Sequence, residues 1–265
     1  MDNRPIGVYD SGFGGLSVLK ELRNKLPNED YVYFGDTKRI PYGSKDKETI
    51  QLFSKQITNF LIEKNVKMII LACNTVTANA MEYLQANFNI PIIGIIESGV
   101  KSALSSTNNK IIAVLGTEAT INSEVYTKNL KKENNQIEVL PVACPKFVPL
   151  VEKGENSKLE IEEAAREYFK EISNRDFDTV ILACTHYPHI ANEIKKVFGE
   201  NKIYINPAIK LVDSVKKYLK NNKLENNNKN LGKIDFYTSG EINSFKENGS
   251  IYFGEEIKDI KNKTF

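Results

Sequence analysis

Residues 68–78, MIILACNTVTA, and residues 180–190, VILACTHYPHI, decide how this chain folds. Each is a short, β-branched apolar run that ends in a cysteine and passes at once into a segment compatible with a helix. The shared core is Ile70-Leu71-Ala72-Cys73 against Ile181-Leu182-Ala183-Cys184, an offset of 111 positions. A continuous apolar run of this length fits a strand buried on both faces, so both runs are expected to deliver a thiol to a strand's C-terminal end.

Outward from these runs, strand-like and helix-like patterns alternate. IGVYD precedes LSVLKELRNKL, which carries Leu16, Leu19, Leu22 and Leu26 on one helical face. YVYFGD precedes a helical pattern over residues 46–64 with Ile50, Phe53, Ile57 and Phe60, and IPIIGII follows the first cysteine run. The pattern restarts at KIIAVLGT, residues 110–117, and continues through IEVLPVACP, DTVILACT and KIYINP. Such alternation predicts βαβ units and mostly parallel sheets. Aligning IGVYDSG with IAVLGTE gives an offset of 106, and Pro41 with Pro149 gives 108. Offsets this close predict a diverged repeat: two similar α/β domains with the active site in the cleft between them. KIDFYTSG, residues 233–240, is expected to return as a strand to the first sheet. The predicted division is therefore 1–98 plus 211–265 for a discontinuous N-terminal domain and 99–210 for the second. Residues 221–230, NNKLENNNKN, are expected to form a surface loop, and the Lys-rich end at 258–263 a solvated tail.

Composition narrows the functional classes. With 36 Lys+Arg against 34 Asp+Glu and no dense basic stripe, the chain lacks a nucleic-acid footprint. No run approaches the ~18 apolar residues of a membrane span, and the first residues lack the apolar stretch of a signal peptide, so a cytoplasmic protein is expected. Three cysteines are too few for a disulfide scaffold, so free thiols are expected.

Parallel sheets bind ligands outside the carboxyl ends of their strands. The residues there are Asp10, Ser11, Asp36, Cys73, Asn74, Thr75 and Glu97 in the first half, and Gly116, Thr117, Cys144, Cys184, Thr185 and His186 in the second. If the halves face one another, these groups line one cleft with a thiol on each wall. A carbon held between two thiols can lose a proton on one face and regain one on the other. Cys144 has no counterpart in the first half and His189 no evident chemical role; both are expected to be structural. Three other readings compete. GFGGLS, residues 12–17, with Asp36 downstream imitates the dinucleotide fingerprint, but Ser17 stands where the third glycine belongs. A zinc site from Cys73, Cys184, His186 and His189 has suitable ligand types at a poor chelating spacing. A non-enzymatic small-ligand receptor would not require two thiols.

Five segments taken together resemble the cofactor-independent aspartate/glutamate racemase family: GVYDSGFGGLSVL (7–19), YVYFGDTKRIPYGSK (31–45), LACNTVTA (71–78), FVPLVEKG (147–154) and LACTHYPH (182–189). INPAIKLVDS and the Asn-rich loop depart from the family's pattern. The resemblance implies that Cys73 and Cys184 are the acid/base thiols, Cys73 acting on D-glutamate and Cys184 on L-glutamate. It gives Asp10, His186 and Glu152 supporting catalytic roles. Ser11, Tyr42, Gly43, Asn74, Thr75, Thr117 and Thr185, with Asp10 and His186, would bind substrate. It further implies a homodimer with no pyridoxal phosphate, metal or nucleotide. His186 stands where aspartate enzymes tend to carry an acidic residue, which favours glutamate and a role in supplying D-glutamate for peptidoglycan. A helix N-terminus after each cysteine strand is expected to lower both thiol pKa values.

Overall fold

The computed structural model describes residues 1–154 and 157–265. The apolar runs form strands β1 (Ile6–Asp10), β2 (Tyr31–Gly35), β3 (Met68–Leu71), β4 (Ile92–Gly94), β5 (Ile111–Gly116), β6 (Glu138–Ala143), β7 (Thr179–Ala183), β8 (Ile203–Ile205), β9 (Ile234–Thr238) and β10 (Ile260–Asn262). The helices are α1 (Gly15–Lys25), α2 (Lys47–Glu63), α3 (Asn74–Asn87), α4 (Ile96–Ser106), α5 (Glu118–Asn122), α6 (Val125–Glu133), α7 (Phe147–Glu152), α8 (Lys158–Lys170), α9 (Ala191–Phe198), α10 (Pro207–Asn221) and α11 (Ile242–Phe253). Leu16, Leu19 and Leu22 are buried on one face of α1, as their spacing requires. Among the described residues no helix is long and apolar enough to cross a membrane.

Two parallel sheets result, with strand orders β10-β9-β2-β1-β3-β4 and β6-β5-β7-β8. The second sheet repeats the order β2-β1-β3-β4, and the register repeats with it: Tyr9 pairs with Leu71, and Leu115 with Leu182. The offsets of 106 and 111 in sequence are therefore a repeat of strand pairing. β9 returns to the first sheet beside β2, as KIDFYTSG predicted. One apolar cluster reaches both sheets, joining Ile6 and Val8 of β1 to Ile112 and Val114 of β5 through Val100 of α4 and Leu211, Val212 and Val215 of α10.

The Lys-rich end is not a solvated tail. Ile260–Asn262 pairs in parallel with β9, and the Phe265 ring packs 5.5 Å from that of Phe34. A three-residue edge strand is held by main-chain hydrogen bonds, and its one lysine, Lys261, is exposed and pairs with Asp235, leaving no apolar period to read.

Below the sheet, away from the cysteines, Lys67 precedes β3 with no exposed side-chain surface and is ion-paired to buried Glu29. Its ammonium also donates to the carbonyls of Asp2 (2.8 Å) and Leu224 (2.7 Å). Glu29 in turn accepts from the Asn226 amide at 2.9 Å, fastening the Asn-rich connection to the sheet. Removing one member of such a pair strands the other charge. Lys67→Met should cost about 3–5 kcal/mol in denaturant unfolding, and adding Glu29→Gln should recover part of that loss.

Candidate functional site

Because every strand in each sheet runs parallel, the polar residues that follow the strands gather at one end. Cys73 directly follows the β3–Ala72 run and occupies the N-cap position of α3. Cys184 follows β7 but meets a short 3₁₀ turn, Tyr187–Ile190, before α9 begins. The helix N-terminus expected after both thiols is present only after Cys73. Pro188 lies in the turn after Cys184, and its fixed ring and missing N–H suit an irregular first turn.

Both thiols open into one narrow cavity of about 60 Å³. Ser11, Tyr42, Gly43, Asn74 and Thr75 line it from the first half of the chain, and Thr117, Glu152, Thr185 and His186 from the second. Asp10 lies just behind the wall, fully buried, accepting from the Gly12 amide (2.9 Å) and the Thr185 hydroxyl (3.2 Å). It thus ties the two halves together without lining the cavity. Glu97 does not join them: it sits in the first turn of α4, exposed and paired with Lys101. Cys144 is buried, its sulfur 3.6 Å from the Val142 carbonyl, and its own carbonyl accepts from Tyr187.

The two sulfurs have unlike neighbours. Cys73 Sγ is 3.5 Å from the Ser11 hydroxyl. Burial, with the Asp10 carboxylate behind it, pushes the Cys73 thiol up to about 12, outweighing the Ser11 hydroxyl and the Val76 amide. The expected lowering by the helix is therefore overruled there, because desolvation penalises a thiolate more than one amide dipole favours it. Asp10 is itself raised, by burial above all, against the pull of His186 and the Gly12 amide. Cys184 Sγ faces an imidazole ring instead, 3.8 Å from His186 Nδ1, while His186 Nε2 lies 3.2 Å from Glu152 Oε1. Burial alone would lower His186, but its hydrogen bonds to Cys184 and Glu152 push it up to about 10. His189 shows the opposite result: burial and the nearby His186 charge push it down to about 4, and it packs on the Tyr252 ring at 4.4 Å.

Asn74 lines the cavity with a side-chain amide held from behind. The hydroxyl of Tyr126, on α6, donates to Asn74 Oδ1 at 2.7 Å, and Asn74 Nδ2 is buried without a partner among the described residues. A buried, unpaired amide costs free energy unless a ligand oxygen accepts from it. Thr75, Thr117 and Thr120 form a hydroxyl triangle with 2.8, 3.0 and 3.3 Å edges. Sequence reasoning missed Tyr126 and Thr120, along with the walls made by Pro41, Val148 and Pro149. No strand-end signal marks Tyr126, because it reaches the site from a helix of the other half. The 108-residue offset had paired Pro41 with Pro149 without showing that both would face one cavity.

A Cβ on Gly14 would fall 2.2 Å from Thr185 Oγ1, and one on Gly15 2.4 Å from Asp10 Cβ. These glycines admit neighbouring side chains and leave no cradle for a pyrophosphate. Asp36 is buried and fully engaged, so it is not free to bind a ribose. Among the described residues, no three His, Cys, Asp or Glu side chains converge to hold a metal ion.

Residues 11–218 match the family described as Asp/Glu/Hydantoin racemase. The chain belongs to that family. It is 44% identical over 260 residues to glutamate racemase 2 of Caldanaerobacter subterraneus subsp. tengcongensis, covering 98% of this chain and 97% of that one. Among solved structures, a glutamate racemase from Francisella tularensis in complex with D-glutamate superposes with a TM-score of 0.93 at 38% identity, covering 100% and 98% of the two chains. The RacE1 isoform from Bacillus anthracis gives the same TM-score at 32% identity, with the same coverage. The duplicated sheets and their facing strand ends are thus the racemase fold.

His186 also makes stability depend on pH. Its folded pKa lies above the ordinary histidine value of 6.5, so the folded chain holds a proton that the unfolded chain releases across this interval. The stability it contributes is complete below pH 6.5 and is lost as pH rises through about 10. The melting-temperature gap between wild type and His186→Gln should therefore narrow steadily from pH 6.5 to pH 10.

Proposed function

We propose that this chain interconverts L-glutamate and D-glutamate by moving protons between the substrate α-carbon and the thiols of Cys73 and Cys184. The observation that carries the proposal is the arrival of two thiols, from equivalent strands of two equivalent sheets, in one cavity. Solved structures similar to this chain throughout its length include one of a glutamate racemase with D-glutamate bound, which supports the choice of substrate. We read the product D-glutamate as a peptidoglycan precursor. The working form is read as a cytoplasmic homodimer, with residues 1–98 plus 211–265 and residues 99–210 as its two domains.

In this mechanism one sulfur is a thiolate and the other a thiol at the start of each turnover. The unlike settings suit that division. The imidazolium of His186 beside Cys184, backed by Glu152, accommodates negative charge, while burial, with Asp10 behind it, keeps Cys73 protonated. Cys184 then takes the α-proton of L-glutamate, and Cys73 delivers its own proton to the opposite face; the return reaction exchanges the roles. Asn74 Nδ2, the threonine hydroxyls and the Tyr42-Gly43 backbone hold the carboxylates and stabilise charge that spreads onto the α-carboxylate as the proton leaves. For transfer, each sulfur must stand within about 3–3.5 Å of the α-carbon.

Cys73→Ser and Cys184→Ser should each lower turnover by about 10²–10⁴-fold, the usual contribution of a positioned acid or base, with unchanged far-ultraviolet circular dichroism. Enantiomers are equal in free energy, so kcat/KM must fall by the same factor in both directions. Near-normal turnover of either variant would rule out the two-thiol mechanism.

Solvent deuterium gives a second test, independent of substitutions. In D₂O, product formed from either enantiomer should carry α-deuterium from the first turnover, while substrate recovered early stays unlabelled. Early product that retains its original α-hydrogen would mean that a single base returns the proton it removed.

A further inference from the structure

Asp36 follows β2 as a strand-end carboxylate, yet the proton-transfer scheme leaves it unused. It is fully buried and makes a closed set of hydrogen bonds. Oδ2 accepts from Arg39 Nε at 2.6 Å and from the Tyr42 hydroxyl. Oδ1 accepts from the Ser239 hydroxyl at 2.6 Å, and Ser239 Oγ accepts in turn from the Lys38 amide at 3.0 Å. The Arg39 guanidinium lies 4.0 Å from the centre of the Phe53 ring and 5.2 Å from that of Phe265, and it also donates to Gln56. The carboxylate is thus neutralised by a cation held in place by the Phe53 and Phe265 rings and by Gln56. A buried carboxylate this fully hydrogen-bonded is expensive to assemble unless something depends on its geometry.

What depends on it is Tyr42. Its side chain is buried, and it lines the thiol cavity together with Ile40, Pro41, Gly43 and Ser44. On the other side, the Gly43 carbonyl accepts from the Ala119 amide at 2.9 Å, and a Cβ at Gly43 would meet Thr117 at 2.7 Å. Residues 40–44 are therefore held from both sides, by Asp36 beneath and by the β5–α5 turn across the cleft. A loop whose main chain must meet a carboxylate needs its supporting side chains locked.

We propose that Asp36 is a positioning residue for substrate binding: through the Tyr42 hydroxyl it fixes the loop 40–44 at the height where that loop's backbone receives a substrate carboxylate. This rests on the reading of the cavity as the glutamate site. Asp36 touches neither sulfur nor substrate, so its loss should weaken binding far more than proton transfer.

The test is steady-state kinetics in both directions for wild type, Asp36→Asn, Tyr42→Phe and the double variant, together with crystal structures of the two single variants. Asp36→Asn and Tyr42→Phe should each raise KM for both enantiomers about tenfold, the scale of one lost charge-assisted hydrogen bond, with kcat within about threefold of wild type. The double variant should be no worse than Asp36→Asn, because both substitutions cut the same link. Unchanged KM, a loss confined to kcat, or effects that multiply in the double variant would each overturn the proposal. If Asp36→Asn does not fold, Tyr42→Phe decides by the same criterion. Failure of the wild type to racemise glutamate would count against the functional reading alone. The crystal structures would then judge Asp36: displacement of residues 40–44 supports the proposal, and an unmoved loop overturns it.

Discussion

The apolar cluster shared by the two sheets turns two strand ends into one site. Each sheet presents a cysteine just past the carboxyl end of a central strand. Val100 on α4 and Leu211, Val212 and Val215 on α10 belong to one apolar cluster with residues of β1 and β5, so the two sheets share a core. Burial of apolar area has no directional preference. Direction is supplied by polar ties across the cleft, from Thr185 to Asp10, from Tyr126 to Asn74, and from Thr117 to Thr75.

A duplicated fold offers two nearly equivalent thiols, but the proposed transfer of protons between them needs opposite protonation states at any moment. Symmetry is broken by the neighbours. The first half supplies a buried carboxylate and a serine hydroxyl behind Cys73, and the second supplies His186 with Glu152 behind Cys184. The difference begins in local chain geometry. Regular α3 starts at once after Cys73, whereas the Pro188 turn after Cys184 brings His186 back beside the sulfur. The same residues that interrupt the helix therefore install the charge that distinguishes the two walls.

Buried polar clusters away from the sulfurs serve the same end by different means. The Lys67–Glu29 pair fastens the Asn-rich connection beneath the first sheet, and Asp36 fastens the loop above it. Neither carries reaction chemistry. Both hold irregular backbone that has no ladder of its own, in one case far from the cavity and in the other on its rim.

Much of this was legible in the sequence because strand pairing follows a local rule. Apolar runs of four to six residues, alternating with helical periods, specify parallel strands whatever surrounds them. The offsets near 110 then carried over into equal strand orders and equal registers. The residues at strand ends, Cys73, Asn74, Thr75, Cys184, Thr185 and His186, could be named in advance because in a parallel sheet every such end points the same way. The short edge strand at 260–262 escaped notice because main-chain pairing leaves no side-chain pattern. Tyr126 escaped because it reaches the site from a helix of the other half, and Thr120 because it lies one helical turn past the strand-end Thr117. The protonation of Cys73 followed from tertiary structure alone: a helix N-terminus is a local feature visible in sequence, whereas desolvation and the carboxylate of Asp10 are set by residues brought together only when the halves close.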